Sequence, residues 1–204
     1  MGELHLGKDF LTAVRERRSM YALSKASPIS DERILQLVTD AVKYTPSAFN
    51  SQSTRIVVLL LEQHERLWEL TTDILKTIVP SDQFEQTQQR MDGFKNAYGT
   101  VLFFEDQSVI EELQRNFALY QDRFPVWSQH TSAMHQFVIW TALESEGLGA
   151  SLQHYNPLID KKVKDTWNLS ESWQLVAQMP FGTPVASPAE KEFTSLEHRI
   201  RVFK

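Results

Sequence analysis

Pro46-Ser47-Ala48-Phe49-Asn50-Ser51-Gln52-Ser53-Thr54-Arg55-Ile56-Val57-Val58-Leu59-Leu60-Leu61 joins two kinds of sequence in one run. Its second half, Thr54 to Leu61, is almost wholly β-branched or apolar and predicts a buried strand. Upstream, Ser30 is a good N-cap, with Asp31 and Glu32 in the first turn. Ile34, Leu37, Val38, Ala41 and Val42 then mark one helical face, and Pro46 ends that helix. Downstream, the helical period returns from Glu62 to Ile78 through Leu67, Leu70 and Ile74. The first half of the run is thus a polar connection between a helix and a core strand.

The same reading extends to both ends. Residues 8–18 place Phe10, Leu11 and Val14 at helical spacing. Gln83 to Tyr98 is amphipathic on Phe84, Met91 and Phe94, and Thr100 to Phe104 is a second apolar strand. Two long helices follow, one over 107–123 and one from Pro125 to Glu146, where Gly147 stops it. Ala150 to Tyr155 predicts a short strand ending at Pro157, Leu158 to Trp167 a helix, and Trp173 to Met179 a strand. Pro180 to Pro188 holds three of the eight prolines and is expected to be irregular. Arg199 to Phe203 alternates charged and apolar residues, as an extended segment does. Helices outnumber strands and separate them, which argues for an α+β or α/β sandwich around a central sheet.

With 204 residues, residues 1–204 are read as a single domain. Apolar residues make up 42% and charged residues 23%, an ordinary globular balance. The net charge of −5 leaves no electrostatic footprint for a nucleic-acid partner. The absence of cysteine excludes disulfides, thiolate nucleophiles and iron–sulfur ligation, and it fits a reducing cytoplasm. Met1 to Phe10 has no apolar core of signal-peptide length, and the longest apolar run, Ile56 to Leu61, is too short to cross a bilayer. A cytoplasmic protein with no membrane partner is the expectation.

Several motifs fail on inspection. Gly147-Leu148-Gly149 lacks the third glycine of a dinucleotide fingerprint, since Leu152 holds its place, and it follows a helix. His64-Glu65 begins like a zincin, but Trp68 stands where the second His belongs, so the pair reads as the solvated start of a helix. His130 and His135 do not share a helix face, and no metal is expected. Glu111-Glu112 and Glu144/Glu146 read as solvated helix charges.

Three segments ask for more than folding. Arg15-Glu16-Arg17-Arg18-Ser19 offers cations that would offset a helix's negative end. Equally, guanidinium forks beside a hydroxyl match phosphate oxygens. Thr45 to Gln52 can be a turn that satisfies its own backbone, yet the Asn50 and Gln52 amides both donate and accept, which suits a flavin edge. Gln153-His154-Tyr155-Asn156 closes a strand, and its histidine reads either as structural or as part of a site.

In this order the segments resemble the nitroreductase family of flavoproteins over most of the chain. Arg17-Arg18-Ser19 looks like the family's R-R-S phosphate motif, and Pro46 to Gln52 like its P-S-x-x-N-x-Q segment. Gly147-Leu148-Gly149 and the stretch to Pro157 are similar to the one whose amides face the flavin N5 edge. Phe181-Gly182-Thr183-Pro184 followed by Lys191 resembles the late G-x-P and phosphate lysine. His154 to Pro157 and Glu190 to Phe193 resemble the H-Y-N-P and E-K-E-F signatures of a fungal and bacterial branch. Three positions depart from the pattern: Ser53-Thr54-Arg55 carries no aromatic after Gln52, Tyr21 stands where a basic residue is common, and Gln153 where an acid is.

The resemblance implies an α+β fold, a three-layer α/β/α sandwich with a central, mainly antiparallel sheet. It implies a homodimer with FMN at two interfacial sites and an extended C-terminal tail exchanged between subunits. Arg17, Arg18, Ser19, Lys191 and Arg199 would meet the phosphate, Asn50 and Gln52 the ring or ribityl chain, and the Gln153 and His154 amides the N5 and O4 edge. Phe49, Tyr120 and Trp127 are candidates for an apolar substrate wall, and equally for core packing. No side chain is assigned a catalytic role. The implied activity is hydride transfer from NADH or NADPH through the flavin to a small-molecule acceptor, a nitroaromatic or quinone, by a ping-pong mechanism. The same fold could serve a non-catalytic flavin- or ligand-binding regulator, which NAD(P)H oxidation would separate from a reductase. A purely helical interaction protein leaves the R-R-S and P-S-A-F-N-S-Q segments without an account.

Overall fold

The computed structural model describes residues 8–204, so most of the Met1–Phe10 reading lies outside the described residues. Within these bounds the chain forms seven α-helices and five strands in an α+β arrangement. In chain order they are α1 (Phe10–Glu16), β1 (Leu23–Ser24), α2 (Asp31–Tyr44), β2 (Thr54–Leu60), α3 (Leu61–Lys76), α4 (Phe84–Lys95), β3 (Gly99–Asp106), α5 (Gln107–Asn116), α6 (Phe124–Ser145), β4 (Gly149–Ala150), α7 (Asp160–Trp167) and β5 (Trp173–Pro184). The sheet is antiparallel in the order β1-β5-β3-β2, with β4 also paired to β5.

Period-two alternation on β3 makes the three layers. Val101 and Phe103 join α2 and α6 through Ile34, Val38, Ile139 and Leu143. Leu102 and Phe104 face α3, α4 and α7 through Leu67, Trp68, Phe94 and Val163. A bulge opposite Phe103/Phe104 shifts the register on β5, so that Leu175 and Ala177, two residues apart, serve opposite cores.

Local signals hold where the partners are local. The Ser30 hydroxyl accepts from the Arg33 N–H at 3.3 Å and caps α2. Gly147, at φ 83°, ends α6, with Gly147 N–H to Glu144 O and Leu148 N–H to Leu143 O. That pair of bonds is a Schellman motif, and glycine meets its left-handed position without strain.

Other expectations are corrected. Pro180 and Pro184 lie inside β5, where an irregular segment was expected. The Pro180 carbonyl accepts from Ser151 N–H on the β4 side, while Phe181 O accepts from Tyr98 on the β3 side. The missing proline N–H therefore falls on the short β4 edge and not in the β3 ladder. β2 was expected to be buried, but it is an edge strand and mostly half-buried. The helix expected over 107–123 breaks at Phe117, whose ring packs 5.0 Å from that of Phe49, and Ala118–Arg123 continues as a 3₁₀ turn. The strand expected over Ala150 to Tyr155 is shorter, because Tyr155 N–H donates to the Gln178 side chain at 2.7 Å. α1 buries Ala13, whereas Phe10 and Leu11 remain exposed.

Three charges read as solvated are not. Glu144 and Glu146 are buried and paired with Lys8 and Arg33. His64 is buried as well, its Nδ1 2.8 Å from the Thr100 hydroxyl, which also accepts from Trp68 Nε1 at 3.0 Å. Burial pushes the His64 pKa down to about 4. The folded chain thus keeps a neutral imidazole over a range where the unfolded chain takes up a proton. Stability should fall as pH drops from about 6.5 to about 4. Between pH 7.5 and 4.5, His64→Gln should lose about 2 kcal/mol less than the parent in urea titrations. Equal losses would remove His64 from the acid response.

Candidate functional site

Arg17 ends α1, its N–H bonded to Ala13 O, and the chain then turns into the sheet region. Ser19 pairs with Ala150, and Met20 N–H donates to Ala150 O at 2.9 Å. The segment after β5 returns over the same place, where Arg18 Nη2 donates to Ala189 O at 2.6 Å. Between them lies a cavity of about 530 Å3 lined by Arg17, Arg18, Ser19, Tyr21, Ala189 and Lys191. Four candidates more than 170 positions apart at their extremes are brought to one wall.

The cavity is cationic. Among the described residues no carboxylate pairs with Arg17, Arg18 or Lys191. The Arg17 guanidinium lies 4.3 Å from the centroid of the Trp140 ring, and its Nε is buried with no hydrogen-bond partner. Burial pulls the Arg17 pKa below its ordinary value. A buried unsatisfied donor is costly, so this one calls for an acceptor. A phosphate ester fits this donor set: two guanidinium forks, an exposed hydroxyl and an ammonium around one open space.

Beside Ser19, the chain runs from Ala150 to His154. The Gln153 N–H donates to Gln178 O at 2.7 Å, so its single proton is not free to face a ligand, contrary to the expectation. Its carboxamide donates to the Ser151 hydroxyl. His154 is exposed, and among the described residues its N–H has no partner.

The loop before β2 is shaped by Ser47. Its carbonyl accepts from Asn50 N–H and its hydroxyl from Gln52 N–H, both at 3.0 Å. Phe49, Asn50 and Gln52 all take left-handed φ, at 56°, 50° and 48°. Such backbone costs about 1–2 kcal/mol per non-glycine residue, asparagine least, and concentrates at functional positions. The Asn50 and Gln52 side chains are exposed and make no hydrogen bond among the described residues, and neither lines the cationic cavity. Below the loop, the fully buried Glu105 accepts from the Ser53 and Thr54 hydroxyls, each at 2.6 Å. Burial raises its carboxyl above the usual range. Sequence reasoning missed this residue. Its signal was an acid directly following the apolar run Thr100 to Phe104.

Phe49, Tyr120 and Trp127 do meet. Their ring centroids lie 5.7, 5.8 and 5.9 Å apart, with Phe49 and Trp127 stacked at 19°. Phe124 beneath is buried, while Phe49 and Tyr120 are exposed, so the cluster is core on one side and open wall on the other. Arg199 lies exposed in the tail, away from the cavity. The described residues contain no cluster of three metal-ligating side chains and no helix long and apolar enough to cross a membrane.

Comparison with known proteins agrees in kind. The model of the nitroreductase family matches residues 14–183. HBN1 of Saccharomyces cerevisiae, which carries a nitroreductase name, is 37% identical over 196 residues, 95% of this chain and 96% of its own. The nitroreductase CinD of Lactococcus lactis, solved with nicotinic acid, superposes with a TM-score of 0.89 at 44% identity, over 96% of this chain and 100% of its own. It has also been solved with 4-nitrophenol. A nitroreductase with bound FMN from Desulfitobacterium hafniense shares the fold at 14% identity, with a TM-score of 0.71 over 97% of this chain and 99% of its own. By its matched length and by this degree of identity, the chain belongs to the nitroreductase family.

Proposed function

We propose that residues 1–204 form one FMN-binding domain that acts as a homodimeric oxidoreductase in the cytoplasm, taking reducing equivalents from NADH or NADPH and passing them to nitroaromatic, quinone or similar acceptors. The observation that carries the reading is the cationic cavity, above all the buried, unpartnered Nε of Arg17. Arg17, Arg18, Ser19 and Lys191 would hold the FMN phosphate. Terminal-phosphate recognition, with no dinucleotide fingerprint, favours FMN over FAD. When bound, FMN supplies the hydride chemistry. The free His154 N–H would donate to the ring edge and favour negative charge there, as an oxyanion hole does. The His154 imidazole would take no part as an acid or base.

Asn50 and Gln52 would meet the ring or ribityl chain from a second copy, since in one chain they lie off the cavity with their amides unused. Apolar surface supports the dimer. A groove of about 430 Å3 between α2 and α6 is lined by Leu37, Tyr44, Met134, Phe137 and Val138. The tail leaves Ile200, Val202 and Phe203 exposed, Phe203 at 90%. Covering these on a partner would also carry Arg199 toward a shared site.

The aromatic wall of Phe49, Tyr120 and Trp127 would receive donor and acceptor in turn. The rings carried by CinD in its complexes, nicotinic acid and 4-nitrophenol, are of the two chemical classes proposed here. The test is the visible spectrum of the purified protein before and after NADH or NADPH. A flavin spectrum bleached by donor, FMN on heat release, and parallel double-reciprocal lines are expected. Colourless protein that takes up no FMN, or release of FAD, would overturn the cofactor. Flavin present but inert to both donors would favour a non-catalytic flavin-binding regulator.

A further inference from the structure

We infer that Trp140 is a positioning residue for the anion site: its indole face holds the Arg17 guanidinium in place without consuming the donors that would reach a phosphate. The inference rests on the reading of the cationic cavity as a phosphate site.

Arg17 follows a short helix and must be oriented by something outside it. A carboxylate would do so by forming a bidentate pair, which neutralises the charge and uses the donors an anionic ligand needs. Glu144, one turn beyond Trp140 on the same face of α6, is the carboxylate whose charge acts on Arg17. It attracts Arg17, but its Oε1 already accepts from Lys8 Nζ at 2.7 Å. What Arg17 meets instead is the Trp140 ring, 4.3 Å from the guanidinium carbon. A cation over an aromatic face is attracted by the ring quadrupole, and tryptophan is the strongest such partner. The contact pairs the guanidinium charge with the ring without giving its Nε–H a hydrogen-bond acceptor. The unpartnered Nε is the visible result. Arg18 differs, since it is held through one of its own donors by Ala189 O.

The experiment uses apo-protein and two flavins that differ only in the phosphate, FMN and riboflavin. Trp140→Met keeps bulk without a π face, and Trp140→Phe keeps a weaker face. The parent should prefer FMN. Trp140→Met should lose about 5- to 30-fold in FMN affinity and leave riboflavin affinity unchanged, with Trp140→Phe within about threefold of the parent. In an Arg17→Ala background, Trp140→Met should have no further effect. Equal losses for both flavins, or none for FMN, would overturn the role of Trp140 while leaving the phosphate site standing. A parent without preference for FMN would overturn the phosphate site and this inference together. If Trp140→Met does not fold, Trp140→Leu, which also lacks a π face, is held to the same criterion: a drop in the ratio of FMN to riboflavin affinity supports the inference, and an unchanged ratio refutes it.

Discussion

Ending the chain after Ala189 is expected to leave a protein that is monomeric at micromolar concentration and loses its flavin on gel filtration. The truncation removes Lys191 from the cavity wall and Arg199 from the tail. It also removes Phe193, Leu196, Ile200, Val202 and Phe203, each at least 60% exposed on the single chain. Side chains of this size contribute about 1.5–3 kcal/mol each when buried, so burying even two or three on a second copy would matter to the dimer. The sheet and both cores end before this segment, so folding itself should survive. Sedimentation velocity gives the mass and absorbance the flavin retained. A truncated chain that stays dimeric and yellow would refute the role given to the tail.

Arg17→Ala and Arg18→Ala should each lower FMN affinity by about 10- to 150-fold, the loss of charge-assisted hydrogen bonds worth about 1.5–3 kcal/mol. Both arginines also sit at the end of α1, where a cation offsets the helix dipole. That explanation by itself predicts a small fall in melting temperature and unchanged FMN affinity. The bond from Arg18 to Ala189 O adds a second route, because losing it frees the segment that carries Lys191. Arg18→Lys keeps charge without the fork and should recover only part of the loss. Flavin titrations of the three variants separate these possibilities, and unchanged affinity in Arg17→Ala would remove the phosphate assignment.

The elements legible in the sequence were those whose deciding partners lie within a few residues. Ser30 caps α2 with a bond three positions away, and Gly147 closes α6 by a turn that asks only for a left-handed residue. The apolar runs of β2 and β3, and the helices between them, could be read because burial leaves a period in the sequence. The R-R-S segment and Lys191 were legible as candidate phosphate chemistry through the residue types themselves, guanidinium forks beside a hydroxyl and an ammonium, and through the family motifs they resemble.

What tertiary structure decided is everything that depends on what lies across the sheet or the cavity. Whether a proline breaks a strand depends on which edge its nitrogen faces, and Pro180 faces the edge with least to lose. His64, Glu144 and Glu146 look like surface charge in sequence, yet are buried because their partners, Thr100, Lys8 and Arg33, arrive from distant elements. The Gln153 N–H reads as free along the chain, but in the fold it donates to the Gln178 carbonyl of β5. Trp140 carried no local signal, since a tryptophan on an apolar helix reads as core until an arginine from the other end of the chain is laid over it. By itself the sequence determined most of the helices, the central strands and the cationic and hydroxyl residue types that meet in the cavity. The tertiary structure alone decided which donors remain unspent, because a hydrogen bond made across the fold removes a proton that no reading of neighbours along the chain can subtract.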